Sequence, residues 1–170
     1  IVISESLRVG GDKFDEAISR YVRRNYNLAI GEQTSEDMKV RIGNCYSRGE
    51  VMTMNIRGRD LVLGFPREIQ ITSAGVAEAI SEQVQSIVDG IRRVLELTPP
   101  ELSADIIEGG VVLTGGGALL ADLDKFIQEQ IKIPVFVSKD PQYCVVKGTG
   151  EALENFDRYN RVLMKTSRSK

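Results

Sequence analysis

Three consecutive glycines, Gly115, Gly116 and Gly117, are the residues of this chain best suited to hold another molecule. They follow the β-favouring run Val111-Val112-Leu113-Thr114. They precede Leu119, Leu120, Leu123, Phe126, Ile127 and Ile131, which recur at helical spacing. The pattern predicts a buried strand, a tight turn and a helix. Glycines remove Cβ atoms where a guest must approach backbone, and a helix start adds unpaired N–H groups and a positive dipole end. The natural guest is a nucleotide. A tight strand-to-helix turn that merely uses glycine also fits the run. No Gly-Lys-Ser/Thr follows and the Gly-x-Gly-x-x-Gly spacing is absent, so neither the P-loop nor the dinucleotide fingerprint applies.

Composition bounds what can position this turn. With 170 residues and 42% hydrophobic content, the chain can bury one sizeable core, with a small lobe attached. A net charge of −2 argues against a nucleic-acid partner, whose affinity comes from phosphate neutralisation. Histidine is absent, which removes the commonest general base and metal ligand, and no catalytic or metal-ligating set stands out. Cys45 and Cys144 lie on apolar patterns without a partner at metal-ligand spacing; they read as buried free thiols in a reducing compartment. No eighteen-residue apolar run and no signal-peptide pattern occur. The chain opens at Ile1 within a strand-like alternation and without a methionine, which suggests a fragment of a longer protein.

Taken in order, Ile1, Ile3, Leu7 and Val9 alternate as a strand ending at Gly10-Gly11. Asp12, with Asp15 three residues on, resembles a capping box before a helix that buries Phe14, Ala17, Ile18, Tyr21 and Val22 and ends near Asn25 to Asn27. Thr34 or Ser35 caps a second helix with Met38, Ile42 and Cys45 inward, and Lys39 sits three residues from Glu36 as an ordinary solvated pair. Short antiparallel strands fill Val51 to Ile71, interrupted at Gly58. A long helix capped at Thr72 or Ser73 then carries Val76, Ile80, Val84, Ile87, Val88, Ile91, Val94 and Leu95 until Pro99-Pro100. A short helical connector over 101–108 leads to the glycine turn. Ile133 to Val137 reads as a strand, and a last helix buries Val145, Leu153 and Phe156. Arg158, Arg161, Lys165, Arg168 and Lys170 make a basic tail over 158–170, read as a solvated end, with anionic lipid or an acidic partner as the sharper option.

The expected fold class is α/β with an inserted small α+β subdomain. Residues 1–31 plus 104–157 form the α/β unit and residues 32–103 the insertion.

Four stretches carry a family resemblance: Arg8-Val9-Gly10-Gly11-Asp12-Lys13-Phe14-Asp15-Glu16-Ala17-Ile18, Ile30-Gly31-Glu32, Thr98-Pro99-Pro100-Glu101-Leu102 and Leu113-Thr114-Gly115-Gly116-Gly117-Ala118-Leu119-Leu120. In this order they resemble the bacterial actins of the MreB family. The similarity runs from Ile1 to about Phe156 and spans about half of the family's length. The wider actin, sugar-kinase and heat-shock-chaperone ATPase superfamily shares the glycine turn and Gly-Gly-Asp helix start more loosely.

The resemblance implies an actin-like, ribonuclease H-like ATPase-fold half, the C-terminal second domain of an ATP-binding filament protein that maintains rod cell shape by organising cell-wall synthesis. It places an adenosine-binding turn on Gly115, Gly116 and Gly117, with Ala118 and Leu119 opening its helix. A second nucleotide-contacting segment falls on Glu36, Asp37, Met38 and Lys39. It further implies ATP, with Mg in the full-length protein, self-association into filaments, and cell-wall elongation and membrane-anchored morphogenesis proteins as partners. Membrane contact would come through a first domain absent here, and the location would be cytoplasmic, membrane-associated as filaments. The family's phosphate hairpins and water-positioning acid have no counterpart in these 170 residues. A C-terminal half of a small-molecule kinase of the same superfamily is the alternative, and a stand-alone binding module with a degenerate turn a third reading.

Overall fold

The computed structural model describes residues 1–46 and 51–159. Helix α1 (Gly11–Tyr26) leads through a left-handed Asn27 to the two-residue strand β1 (Leu28–Ala29) and helix α2 (Glu32–Ile42). Strands β2 (Thr53–Asp60) and β3 (Pro66–Thr72) form a hairpin, followed by the long helix α3 (Ser73–Leu97) and then α4 (Pro100–Gly109). Strand β4 (Val111–Leu113), a single 3-10 turn at Gly116–Leu119, α5 (Leu123–Ile131) and β5 (Val135–Val137) come next. A 3-10 turn at Pro141–Tyr143 precedes α6 (Cys144–Glu154) and α7 (Phe156–Tyr159).

Two sheets result. The first has the antiparallel order β1-β2-β3, with Ile56 opposite Ile69 and Leu28 opposite Asp60. The second is a parallel pair, with Val111 opposite Val135 and Leu113 opposite Val137. A parallel pair needs a crossover, and α5 supplies it. One hydrophobic cluster joins Phe14, Ile18 and Val22 of α1 to Leu28, Met38, Ile42, Ile56 and Ile71. It continues through Val76, Ile80, Val84 and Val88 of α3 to Leu120, Leu123, Ile127 and Val135. These are the stripe positions of α1 and α3, so the 3.6-residue pattern is what docks the helices. Tyr21 reaches Glu78 at 3.1 Å near the start of α3, and Glu5 reaches Arg93 at 2.7 Å near its end, so α1 and α3 run antiparallel.

Several expectations are corrected. Residues 1–10 form no strand: no ladder partner faces them among the described residues, and Leu7 is instead anchored over Gly90 of α3. The caps of α1 and α2 are Gly10 and Gly31, without side-chain cap bonds, because Asp15 turns toward Lys39 and the Ser35 hydroxyl donates back to the Gly31 carbonyl. Thr72 does cap α3, accepting from the Gly75 N–H at 3.1 Å. Gly58 does not interrupt its strand; it lies inside β2 where β1 crosses closest.

At the glycine turn the helix is not continuous. Leu120 is extended and Asp122 left-handed, so α5 starts six residues after Gly117. In α6 and α7 nothing is buried: Val145 and Leu153 of α6 and Phe156 of α7 are exposed, because no described element covers that face. Cys45 and Cys144 are free and only partly buried, and Cys45 lies beyond the end of α2. Of the basic tail, Arg161, Lys165, Arg168 and Lys170 lie outside the described residues.

Candidate functional site

Helices α1 and α2 enclose a groove of about 790 Å³ lined by Asp12, Asp15, Glu16, Ser19, Arg20, Arg23, Ile30, Glu32, Ser35, Glu36 and Lys39. Its floor is fixed by a charge pair. Lys39 Nζ lies 2.7 Å from Asp15 Oδ2, donates to the Gly11 carbonyl at 3.4 Å, and both side chains are mostly withdrawn from water. The second carboxylate oxygen of Asp15 is buried and accepts from no protein group. Lys39 is thus a bolt between two helices. Its stem is held along the groove, where an aliphatic chain offers apolar surface to a ring.

The neighbours of Lys39 divide by helical phase. Glu36 is exposed on the groove side, a free acceptor for hydroxyl groups. Asp37 faces Gln33, whose amide approaches it at 3.5 Å. Met38 is fully buried and holds α2 in the core, so its side chain supports the groove from behind.

The glycine turn lies outside the lining of that groove. Gly115 has φ +83°, the left-handed region where only glycine is unstrained, and its N–H donates to the Pro141 carbonyl at 2.7 Å. Gly116 and Gly117 have ordinary φ, and Cβ atoms built on them meet only Gln142 Nε2 at 3.9 Å and nothing within 4 Å, respectively. Packing within the chain does not demand glycine at either position. Ala118 is buried, whereas Leu119 is exposed.

The chain just after each candidate segment is joined to the other: Asn44, beyond α2, forms a parallel bridge with Ala121. The Cys45 N–H donates to the Ala121 carbonyl at 3.1 Å, and the Asn44 amide to Asp122 at 2.9 Å. A hydrogen bond from Lys125, and then that of Asn44, hold the Asp122 carboxyl below the usual aspartate range. The structure therefore ties the ends of α2 and of the glycine turn together, without direct contact between Lys39 and the glycines. Pro141 and Gln142 belong to this arrangement without a sequence signal, and Asp15 read in the sequence only as part of a capping box. Asp15 and Lys39 are 24 positions apart, and only the helix pairing joins them.

Behind the junction a second cavity of about 540 Å³ lies between α3 and α5, lined by Cys45, Glu82, Gln85, Asp89 and Phe126 among others. Burial, and then the nearby Asp122 and Asp124 carboxylates, push the Cys45 thiol up to about 12. From about pH 9 to 12 the unfolded chain ionises this thiol and the folded one does not, so its contribution to stability is complete below pH 9 and lost as pH rises through 12. At pH 8.5 the folded protein is expected to leave Cys45 unalkylated by iodoacetamide over a period that fully modifies the urea-unfolded chain. Mass mapping of Cys45 reads the result, and equal labelling in both states would contradict it. Among the described residues no cluster of three or more His, Cys, Asp or Glu is arranged for a metal, and no helix is long and apolar enough to cross a membrane.

Comparison with known proteins is consistent across sequence and structure. The family model of MreB/Mbl proteins matches residues 1–161. The chain is 49% identical over 158 residues to the cell shape-determining protein Mbl of Bacillus subtilis strain 168, covering 93% of this chain and 47% of that protein. It is 49% identical over 159 residues to the cell shape-determining protein MreB of Escherichia coli K12, covering 94% and 46%. The crystal structure of MreB5 of Spiroplasma citri bound to AMPPNP superposes with a TM-score of 0.89 at 36% identity, covering 95% of this chain and 48% of that one. A MamK double helical filament matches at TM-score 0.73 and 20% identity over 87% of this chain and 45% of that one, a likeness of fold alone. The fold is therefore actin-like, and the chain spans about half the length of the curated relatives it matches.

Proposed function

The chain belongs to the MreB/Mbl family, and from that premise we propose that it is the second domain of an ATP-binding, actin-like protein whose filaments maintain rod cell shape by organising cell-wall synthesis. The kinase alternative falls away, because the matching family and relatives are cell shape-determining proteins. Residues 32–103 are taken as the inserted subdomain and residues 1–31 with 104–157 as its base. Within this reading the chain supplies one wall of the nucleotide cleft. Gly115, Gly116, Gly117, Ala118 and Leu119 face the adenosine, Glu36 accepts from ribose hydroxyls, and the Lys39 stem covers the base, with Asp37 and Met38 setting the pose of α2. The Mg-bound phosphates, the attacking water and the membrane contact belong to the other half. Wall-synthesis and membrane-anchored morphogenesis proteins would meet the filament in the cytoplasm.

The observation that supports this most is the glycine turn. Gly116 and Gly117 have no internal packing reason to be glycine, so their open backbone suits a guest. The solved MreB5 structures hold AMPPNP and ADP. In the complete polypeptide, Gly117→Val is expected to leave the thermal midpoint nearly unchanged and to weaken ATP binding about tenfold or more, since the added methyls fill the ligand side alone. Titration calorimetry beside a melt checks both halves, and unchanged affinity would remove the turn from the site. The isolated 170-residue chain, lacking phosphate hairpins, is expected to show no ATP turnover above background.

A further inference from the structure

Resting on the nucleotide reading, in which the glycine turn faces the adenosine, we propose that Gln142 reads the base: its carboxamide pairs with the N6 amino group and N7 of adenine and so selects adenine over guanine. Gln142 borders the open side of the turn. A Cβ built on Gly116 would lie 3.9 Å from its Nε2 and meet nothing else within 4 Å outside the turn, and one built on Gly117 would meet nothing at all. The side chain is exposed and makes no hydrogen bond among the described residues, so its donor and its acceptor are both open to a guest.

The segment that carries Gln142 is held on both sides. The Gly115 N–H donates to the Pro141 carbonyl at 2.7 Å, which joins the two 3-10 turns, and Pro141 is buried. The Tyr143 N–H closes its turn on the Asp140 carbonyl at 3.0 Å, and the Asp140 carboxylate pairs with Lys147 of α6 at 2.6 Å. The Cys144 thiol lies 2.9 Å from the Ser138 hydroxyl and donates to the Asp140 carbonyl at 3.3 Å. Each flank of Gln142 is thus tied down while its own side chain is left free. The amide is placed before a base arrives, so little order is lost on binding there.

The chemistry of a carboxamide decides the base. It offers one donor and one acceptor side by side. Adenine presents the matching pair on its N6–N7 edge, whereas guanine presents acceptors at both O6 and N7, leaving the glutamine oxygen against a lone pair with no proton between them. A site built to hydrogen-bond one substrate group rejects the analogue lacking it more strongly than an apolar pocket can. Arginine, which has donors only, carries the opposite preference. The bare backbone at Gly116 and Gly117 serves the same end, because the missing Cβ atoms let a flat ring lie beside the amide.

The test is equilibrium titration of the complete polypeptide with ATP, with GTP and with 7-deaza-ATP, which lacks the N7 acceptor. The parent is expected to bind ATP about tenfold tighter than GTP and about threefold tighter than 7-deaza-ATP. Gln142→Ala should bind all three within about twofold of one another, with an unchanged thermal midpoint because the side chain holds nothing in the fold. Gln142→Arg should favour GTP. A parent that does not distinguish ATP from GTP, a preference that survives in Gln142→Ala, or equal binding of ATP and 7-deaza-ATP by the parent overturns the role of Gln142 while leaving the nucleotide site in place. A parent that binds none of the three overturns the nucleotide reading and this proposal with it.

Discussion

Gly58→Val should destabilise the fold by about 3 kcal/mol. A Cβ at this position would sit 2.3 Å from the Ala29 carbonyl oxygen and 2.9 Å from Leu28 Cγ. The first neighbour is backbone already paired in the ladder, so it cannot turn aside as a flexible side chain would. Two effects compete. Valine favours strands over glycine by up to about 1 kcal/mol, whereas overpacking a well-filled site costs about 1–3 kcal/mol. The clash prevails because relief requires β1 to leave β2. That movement takes with it fully buried Leu28 and the Leu61 N–H bond to the Asn27 carbonyl. Urea denaturation should show a lower midpoint, and the thermal midpoint should fall by about 6–12 °C for a chain of this size. A loss below about 0.5 kcal/mol would mean that β1 is a loose appendage.

Lys39→Ala should remove about 2 kcal/mol of stability, well above the few tenths expected of a solvated helix pair. The alanine strands the Asp15 carboxylate, one oxygen of which is buried without a protein partner and the other held by Lys39 alone. A double-mutant cycle with Asp15→Ala isolates the pair, with an expected coupling of about 1–2 kcal/mol. Coupling indistinguishable from zero would return Lys39 to the surface. Any loss of nucleotide affinity in Lys39→Ala then needs comparison with Asp15→Ala, which loosens the same helix pair while sparing the Lys39 stem.

Helices α1 and α3 were legible because their sequence periods carry their burial. Phe14, Ile18 and Val22, and Val76, Ile80, Val84 and Val88, are core positions in both pattern and structure. Strands β4 and β5 were legible from their apolar runs and turn signals, and their parallel pairing came only with the structure. What failed to show depends on partners. Ile1 to Val9 alternates like a strand, yet alternation gives no information on whether a ladder lies alongside. Asp15 has the spacing of a capping residue, but Lys39 from another helix claims its carboxylate. Gly58 reads locally as a breaker, and only the crossing of β1 explains it. Of the candidate site, the types and segments were readable. The bolt from α1 to α2 and the bridge from Asn44 to Ala121 were not, because both join residues far apart in sequence.

The bare faces of α4 and α6 divide the molecule by lability. Amide hydrogens of α1, α3 and the hairpin lie over fully buried side chains and should exchange only through global opening, whereas those of α4 and α6 need only a local fluctuation. The β4–β5 ladder, three residues long and only two strands wide, belongs with the second group. Whatever covers that half binds the native state and not the unfolded one, so its arrival raises protection there by mass action without altering a contact in the core. Slowed exchange confined to β4, β5, α4 and α6 would therefore act as a reporter of occupancy, with α1 and α3 as the internal reference.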